Sequence, residues 1–185
     1  MGTTMFGSVD DPNLFAGVLE ELNLDFKIHI DAAFGGFIYP FSNGRKDIGL
    51  DNPYIDSITI DAHKMLQAPY GTGIFICKKG LIHNVRTKEA QYVNGMDLTL
   101  SGSRSGANAI AVWMILFSYD PHQWFEKISV LLMHTEWFCK QLDMLGIGYY
   151  RNPHMNIVTM KSEGIPIELE HAFDLVPEMH DGTNK

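Results

Sequence analysis

Ser57-Ile58-Thr59-Ile60-Asp61-Ala62-His63-Lys64-Met65 opens on alternating β-branched residues and runs directly into an acid, a histidine and a lysine. Ile and Thr are stiff at χ1 and pack well on a pleated surface, so residues 57–61 predict a buried strand. Two other stretches repeat the design. Phe26-Lys27-Ile28-His29-Ile30 leads to Asp31 and, shortly after, to Gly35-Gly36, while Gly73-Ile74-Phe75-Ile76-Cys77 ends at Lys78-Lys79-Gly80. Ahead of them, Asp11-Pro12 followed by Leu14, Val18, Leu19 and Leu22 predicts a helix ending near Asn23. Asp accepts from free amides at a helix start, and Pro fits the first helical position. A helix leading into strands whose ends carry polar groups predicts an open α/β sheet, in which ligands collect outside the carboxyl ends of the strands.

Toward the C-terminus the pattern changes. Ser101 to Gly106 is a small-residue crossing, and Ala107 to Phe117 is apolar nearly all round, which predicts a buried helix. Residues 88–100 read as a loop with a turn at Asn94-Gly95. Asp120-Pro121 opens a helix striped by Phe125, Ile128, Leu131, Leu132, Phe138, Leu142 and Leu145, and Gly146 supplies its stop. About 25 residues at 1.5 Å each give about 37 Å, long enough to join two domains. Asn156 to Met160 predicts a strand, and residues 165–175 a helix. The boundary therefore falls between residues 1–118 and 119–185. Three strands before the long helix and barely a second sheet after it predict a fragment, or a chain that completes itself with another.

The 185 residues carry 14 Lys+Arg against 22 Asp+Glu, and 45% are hydrophobic. That is enough apolar material for a core, and intrinsic disorder is excluded for most of the chain. With a pI near 5.4 and no basic cluster denser than Lys78-Lys79, nucleic-acid and anionic-membrane partners are not expected. The longest strongly apolar run, Ala109 to Phe117, is too short to span a bilayer. Met1-Gly2-Thr3-Thr4 does not begin a signal peptide, so a cytoplasmic location is expected. Cys77 and Cys139 have no CxxC-type partner and read as two buried thiols in a reducing compartment. The histidines outside the strand ends show no metal-ligand spacing, and no metal is expected.

Two residues carry the chemistry. A lysine delivered at the end of a buried strand is costly to desolvate as a cation, and the neutral amine is the form that condenses with an aldehyde. Asp31, also at a carboxyl strand end, would hold a ring nitrogen protonated, with small Ala33 letting a flat ring approach the backbone. Asp plus Lys on neighbouring strands is the pyridoxal phosphate arrangement. Taken singly, each residue has an ordinary reading, Lys64 as a solvated loop lysine and Asp31 as the cap of the next turn.

The run His-x-Asp-Ala-Ala-Phe-Gly-Gly at 29–36, Asp-Ala-His-Lys at 61–64 and Ser-Gly-Ser-Arg-Ser-Gly at 101–106 resembles the group II pyridoxal-phosphate-dependent amino acid decarboxylases. Residues 34–41 and 156–158 look most like the archaeal tyrosine/aspartate decarboxylase branch, and residues 101–106 are also similar to sphingosine-phosphate lyase. The resemblance implies the C-terminal half of the large domain of a fold-type I pyridoxal phosphate enzyme plus the start of its α+β small domain. It implies that Lys64 binds the cofactor covalently, Asp31 pairs with the pyridinium nitrogen, Ala33 packs on the ring and His63 contacts the phosphate. Thr4, in the segment matching the family's Gly-Thr-Thr, would lie near the ring. Ser103 would serve the phosphate of a neighbouring subunit, implying a homodimer. Tyr92 sits roughly where relatives carry a tyrosine that protonates the substrate carbanion, although a loop tyrosine is the ordinary alternative. Arg104 reads equally as a carboxylate binder or a structural ion pair.

The family's phosphate cradle and ring-stacking aromatic residue are not found here, and full-length relatives run to about twice this length with the missing part mainly before Gly2. Three functions stay open at this point. One is an L-amino acid decarboxylase completed by a separate N-terminal chain, another a retro-aldol carbon–carbon lyase, and the third a non-catalytic remnant. Tyrosine, aspartate and glutamate all remain open as substrates.

Overall fold

The computed structural model describes residues 1–44, 47–85, 104–163 and 165–175. Helix α1 (Pro12–Glu21) leads into strand β1 (Ile28–Asp31), then β2 (Ile55–Asp61) and β3 (Gly73–Cys77). The three form one sheet in the order β1-β2-β3. β1 and β2 are parallel, with Asp31 opposite Thr59, and β3 returns antiparallel to β2, with Asp61 opposite Gly73. A parallel pair needs a long crossover, supplied by residues 32–54 with two single-turn 3₁₀ helices at Gly35–Phe37 and Tyr39–Phe41. Helices α2 (Gly106–Ser118) and α3 (Pro121–Leu145) follow, then a two-stranded antiparallel sheet of β4 (Tyr149–Arg151) and β5 (Val158–Met160), and the short α4 (Ile167–Ala172). Among the described residues no helix is long and apolar enough to cross a membrane.

Strand alternation gives the first sheet two unlike faces. Ile30, Ile60 and Ile74 share one face, and Ile30 and Ile74 pack on the buried clusters there. One cluster joins Ile38, Tyr39, Ile48, Ile128 and Met155, and the other joins Ala62, Leu66, Ala68 and Trp124. α3 spans both, because Trp124 and Ile128 lie one turn apart on the same stripe. Full burial of Ile38, Ile55, Leu66 and Met155 contributes about 1.5–3 kcal/mol each. Gly36 sits where a Cβ would come within 2.9 Å of the Ile60 side chain, so the crossover lies flush on the sheet only because that position lacks one.

Helix α3 is bounded as its sequence requires. Asp120 accepts from the Gln123 amide and Gln123 returns a bond to the Asp120 N–H, closing a capping box on α3. Gly146 ends the helix at φ 70°, a left-handed turn that suits glycine. α2 departs from the expected buried helix. Only Val112 and Ile115 pack on the Trp124 cluster, while Trp113, Met114 and Phe117 are exposed, Phe117 by 77%. An all-round apolar helix needs cover on every side, and the described residues supply it on one. Cys139 is buried as expected, but Cys77 is only half-buried, because it stands on an edge strand.

Candidate functional site

The second face of the sheet carries His29 and Asp31 from β1, Ser57, Thr59 and Asp61 from β2, and Phe75 and Cys77 from β3. His29 Nδ1 lies 2.8 Å from Ser57 Oγ, and its ring stacks on Phe75. Because β1 and β2 run parallel, their carboxyl ends share one edge of the sheet. Asp31 pairs with Thr59 and Asp61 follows Thr59 by two residues, so the alternation puts both carboxylates on one face.

Asp31 is the last residue of β1 and is exposed. Its Oδ1 accepts from the Ala33 N–H at 3.0 Å, which turns the chain out of the strand. Ala32 is fully buried and donates its N–H to Thr59 O at 2.8 Å, and Asp61 donates its own to Ala33 O at 3.1 Å. The two strand ends are thus laced together by backbone bonds. Fully buried Ala32 leaves no room for a larger side chain at this point.

Lys64 leaves the turn after β2 and its Nζ lies 3.0 Å from Asp61 Oδ2. The ion pair draws the amine to the face that bears Asp31. The Lys64 side chain is 39% exposed and that of Asp61 24%, so the expected desolvation of the ammonium is not met here; water and a carboxylate both reach it. His63 points its Nε2 at the same carboxylate, 3.8 Å away, while its Nδ1 lies 3.2 Å from Thr72 O. Tyr70 meets the His63 ring edge-on.

The N-terminal segment reaches this end of the sheet. The Met1 ammonium donates to Asp31 O at 2.6 Å and Met1 O accepts from the Gly35 N–H. Burial lowers the Met1 amine below its usual value near 8, opposed by the charges of Asp31 and Asp10. Thr4 is exposed in the turn that follows. Thr159 Oγ1 donates to Met5 O, fastening the segment to β5. Arg104 is exposed ahead of α2, and Tyr92 and Ser103 lie outside the described residues.

Asp31, Ala33, His63 and Lys64 are therefore brought to one edge. Sequence reasoning passed over Asp61 and Thr72 as members of the site. The Asp-x-x-Lys spacing could have marked Asp61, since a turn brings residues three apart together. Thr72 acts through its backbone, and no side-chain pattern marks that. Neither the groove lined by Phe41, Ser42, Glu136 and Arg151 nor that lined by Lys27, Asp56, Phe75 and Cys77 includes Lys64 or Asp31.

Residues 1–122 match the pyridoxal-dependent decarboxylase conserved domain. Over 184 residues the chain is 55% identical to the tryptophan decarboxylase of Clostridium sporogenes, covering 100% of this chain and 44% of that protein. Over 182 residues it is 36% identical to the L-aspartate decarboxylase of Thermococcus kodakarensis, covering 91% of this chain and 45% of the relative. The fold resembles that of the Lactobacillus brevis glutamate decarboxylase, with a TM-score of 0.71 at 24% identity, over 83% of this chain and 37% of that one. The chain spans less than half the length of these relatives. On the match of residues 1–122, the chain belongs to the pyridoxal-dependent decarboxylase family.

Proposed function

We propose that this chain contributes the lysine-bearing and aspartate-bearing strand ends of a pyridoxal-phosphate-dependent L-amino acid decarboxylase whose substrate is tryptophan. The observation that carries the reading is the common edge of β1 and β2, where Lys64 is drawn to the face that bears Asp31. The identity of 55% to a tryptophan decarboxylase favours that substrate over tyrosine, aspartate or glutamate, and favours decarboxylation over carbon–carbon cleavage.

The donor set fits the cofactor. An amine, a carboxylate and an imidazole stand at one edge, and fully buried Ala32 keeps the neighbouring backbone close. When bound, pyridoxal phosphate supplies an electron sink for the charge left on the substrate carbon as carbon dioxide departs. Lys64 would hold it covalently and release it to the incoming amino group. Asp31 would keep a proton on the ring nitrogen, Ala33 would pack on the ring, and His63 would donate to the phosphate. Thr4 would approach the ring from the N-terminal segment. In the same reading Ser103 serves the phosphate of a second subunit, and Tyr92 returns the proton to the substrate carbon.

A homodimer, or a separate chain supplying the rest of the relatives' length, completes this site, and residues 119–185 form its linking helix and partial small domain. Two free thiols, Cys77 and Cys139, support a cytoplasmic setting. Coexpression of this chain with a polypeptide matching the remaining length of the Clostridium sporogenes relative tests the reading. Release of carbon dioxide and tryptamine from tryptophan is expected. Turnover of an amino-alcohol phosphate instead would transfer the chain to the carbon–carbon lyases, and loss of both reactions in a folded, cofactor-loaded complex would make it a remnant.

A further inference from the structure

Thr72 is only 7% exposed, and its carbonyl oxygen is a shared acceptor. It receives the Ala62 N–H at 2.9 Å, the His63 N–H at 3.4 Å and a bond from the His63 ring at Nδ1, 3.2 Å away. A carbonyl oxygen cannot donate, so the ring nitrogen facing it must carry the hydrogen. The Thr72 hydroxyl donates to Pro69 O, which ties the carbonyl to the 69–72 turn, and Tyr70 from that turn packs edge-on against the imidazole.

We propose that Thr72 is a positioning residue that fixes the tautomer of His63, leaving Nε2 as the atom that gains and loses a proton at the Lys64 edge of the sheet. In the neutral ring the hydrogen sits on Nδ1, and in the charged ring both nitrogens carry one. Nδ1 is therefore protonated in either state, and only Nε2, 3.8 Å from Asp61 Oδ2, changes. The groups facing that atom are the Asp61 carboxylate and, through it, the Lys64 amine. An imidazole held in this way keeps Nε2 turned toward an anionic ligand and donates to it in the charged form of the ring. The assignment deepens the reading of this edge as a cofactor site, and only the ligand it serves rests on that reading.

Nitrogen-15 spectra of the full chain labelled at histidine test it directly, with His63→Gln identifying the His63 signals. The neutral ring is expected as the Nδ1–H tautomer, with the titration displacing Nε2 from the pyridine-like position. Thr72→Val removes the hydroxyl tie and should yield a mixture of tautomers, and Thr72→Ser should restore the single form. An Nε2–H ring in the unaltered chain, or a Thr72→Val spectrum identical to it in a protein that is still folded, would overturn the proposal. Adding pyridoxal phosphate reads the ligand separately. Displacement of the Nε2 signal supports a donor role toward the anion, whereas a fixed tautomer with no displacement would remove that role and count against the cofactor reading, leaving the tautomer assignment intact.

Discussion

Lys64 Nζ lies 3.0 Å from Asp61 Oδ2, within the turn by which the chain leaves β2. The lysine that reacts in the proposed chemistry is thus paired before any aldehyde arrives, and the pair must open for the amine to condense. More than a third of the lysine side chain is exposed, so solvent screens the attraction, and pairs of this kind contribute only about 0–1 kcal/mol.

Replacing the partner separates the two consequences. Asp61→Asn should change unfolding stability by less than about 1 kcal/mol and speed capture of pyridoxal phosphate about two- to fivefold, since that pair no longer has to break. Time-resolved absorbance reads the rate. Unchanged or slower capture would show that Asp61 orients the amine productively rather than restraining it.

Gly36 predicts a packing defect with a defined partner. An alanine Cβ there would lie 2.9 Å from both Cγ atoms of Ile60, the residue immediately before Asp61. Gly36→Ala should cost about 1–3 kcal/mol by overpacking. Combined with Ile60→Ala it should cost less than the two single changes added together, because the second removes the atoms that collide. Denaturant titrations of the four chains check this, and strict additivity would contradict it.

Tyr54 predicts an alkaline dependence. Its hydroxyl donates to Glu20 Oε2 at 3.1 Å, tying α1 to the residue before β2. The bond to Glu20, then that carboxylate's charge, raises the phenol above its usual value. A raised folded value means the stabilisation is fully present below the unfolded phenol value, near 10, and lost as pH rises through the folded one. Tyr149, raised by burial and by Asp143, acts in the same direction. Stability should therefore fall in the alkaline limb, less steeply in Tyr54→Phe, as melting temperature against pH would show.

Residues 73–77 and the span of α3 were legible in the sequence because local chemistry decides them. Ile74, Phe75 and Ile76 favour a pleated surface, and Asp120, Gln123 and Gly146 mark helix ends whose free amides and carbonyls need partners. The short β4 was not legible, since Tyr149 to Arg151 forms a strand only by pairing with β5. The exposure of α2 was not legible either. Composition states that Trp113 and Phe117 want cover, and the described residues leave both exposed. In the site, the strand-end positions of Asp31 and Lys64 followed from the pattern. The solvated state of the Lys64 amine depends on the turn geometry that brings Asp61 back to it, and the hold of Thr72 on His63 depends on a backbone oxygen.

We take Lys64 to be the cofactor lysine of the sheet edge that also carries Asp31. Pyridoxal phosphate added to the chain, alone and with the complementing polypeptide, can be fixed by borohydride and the modified residue mapped by mass spectrometry. The account predicts a label on Lys64 that disappears in Lys64→Ala and persists in Asp31→Asn, whose turnover with tryptophan is nonetheless crippled. A label settling on another lysine, or on the Met1 amine in place of Lys64, would contradict it.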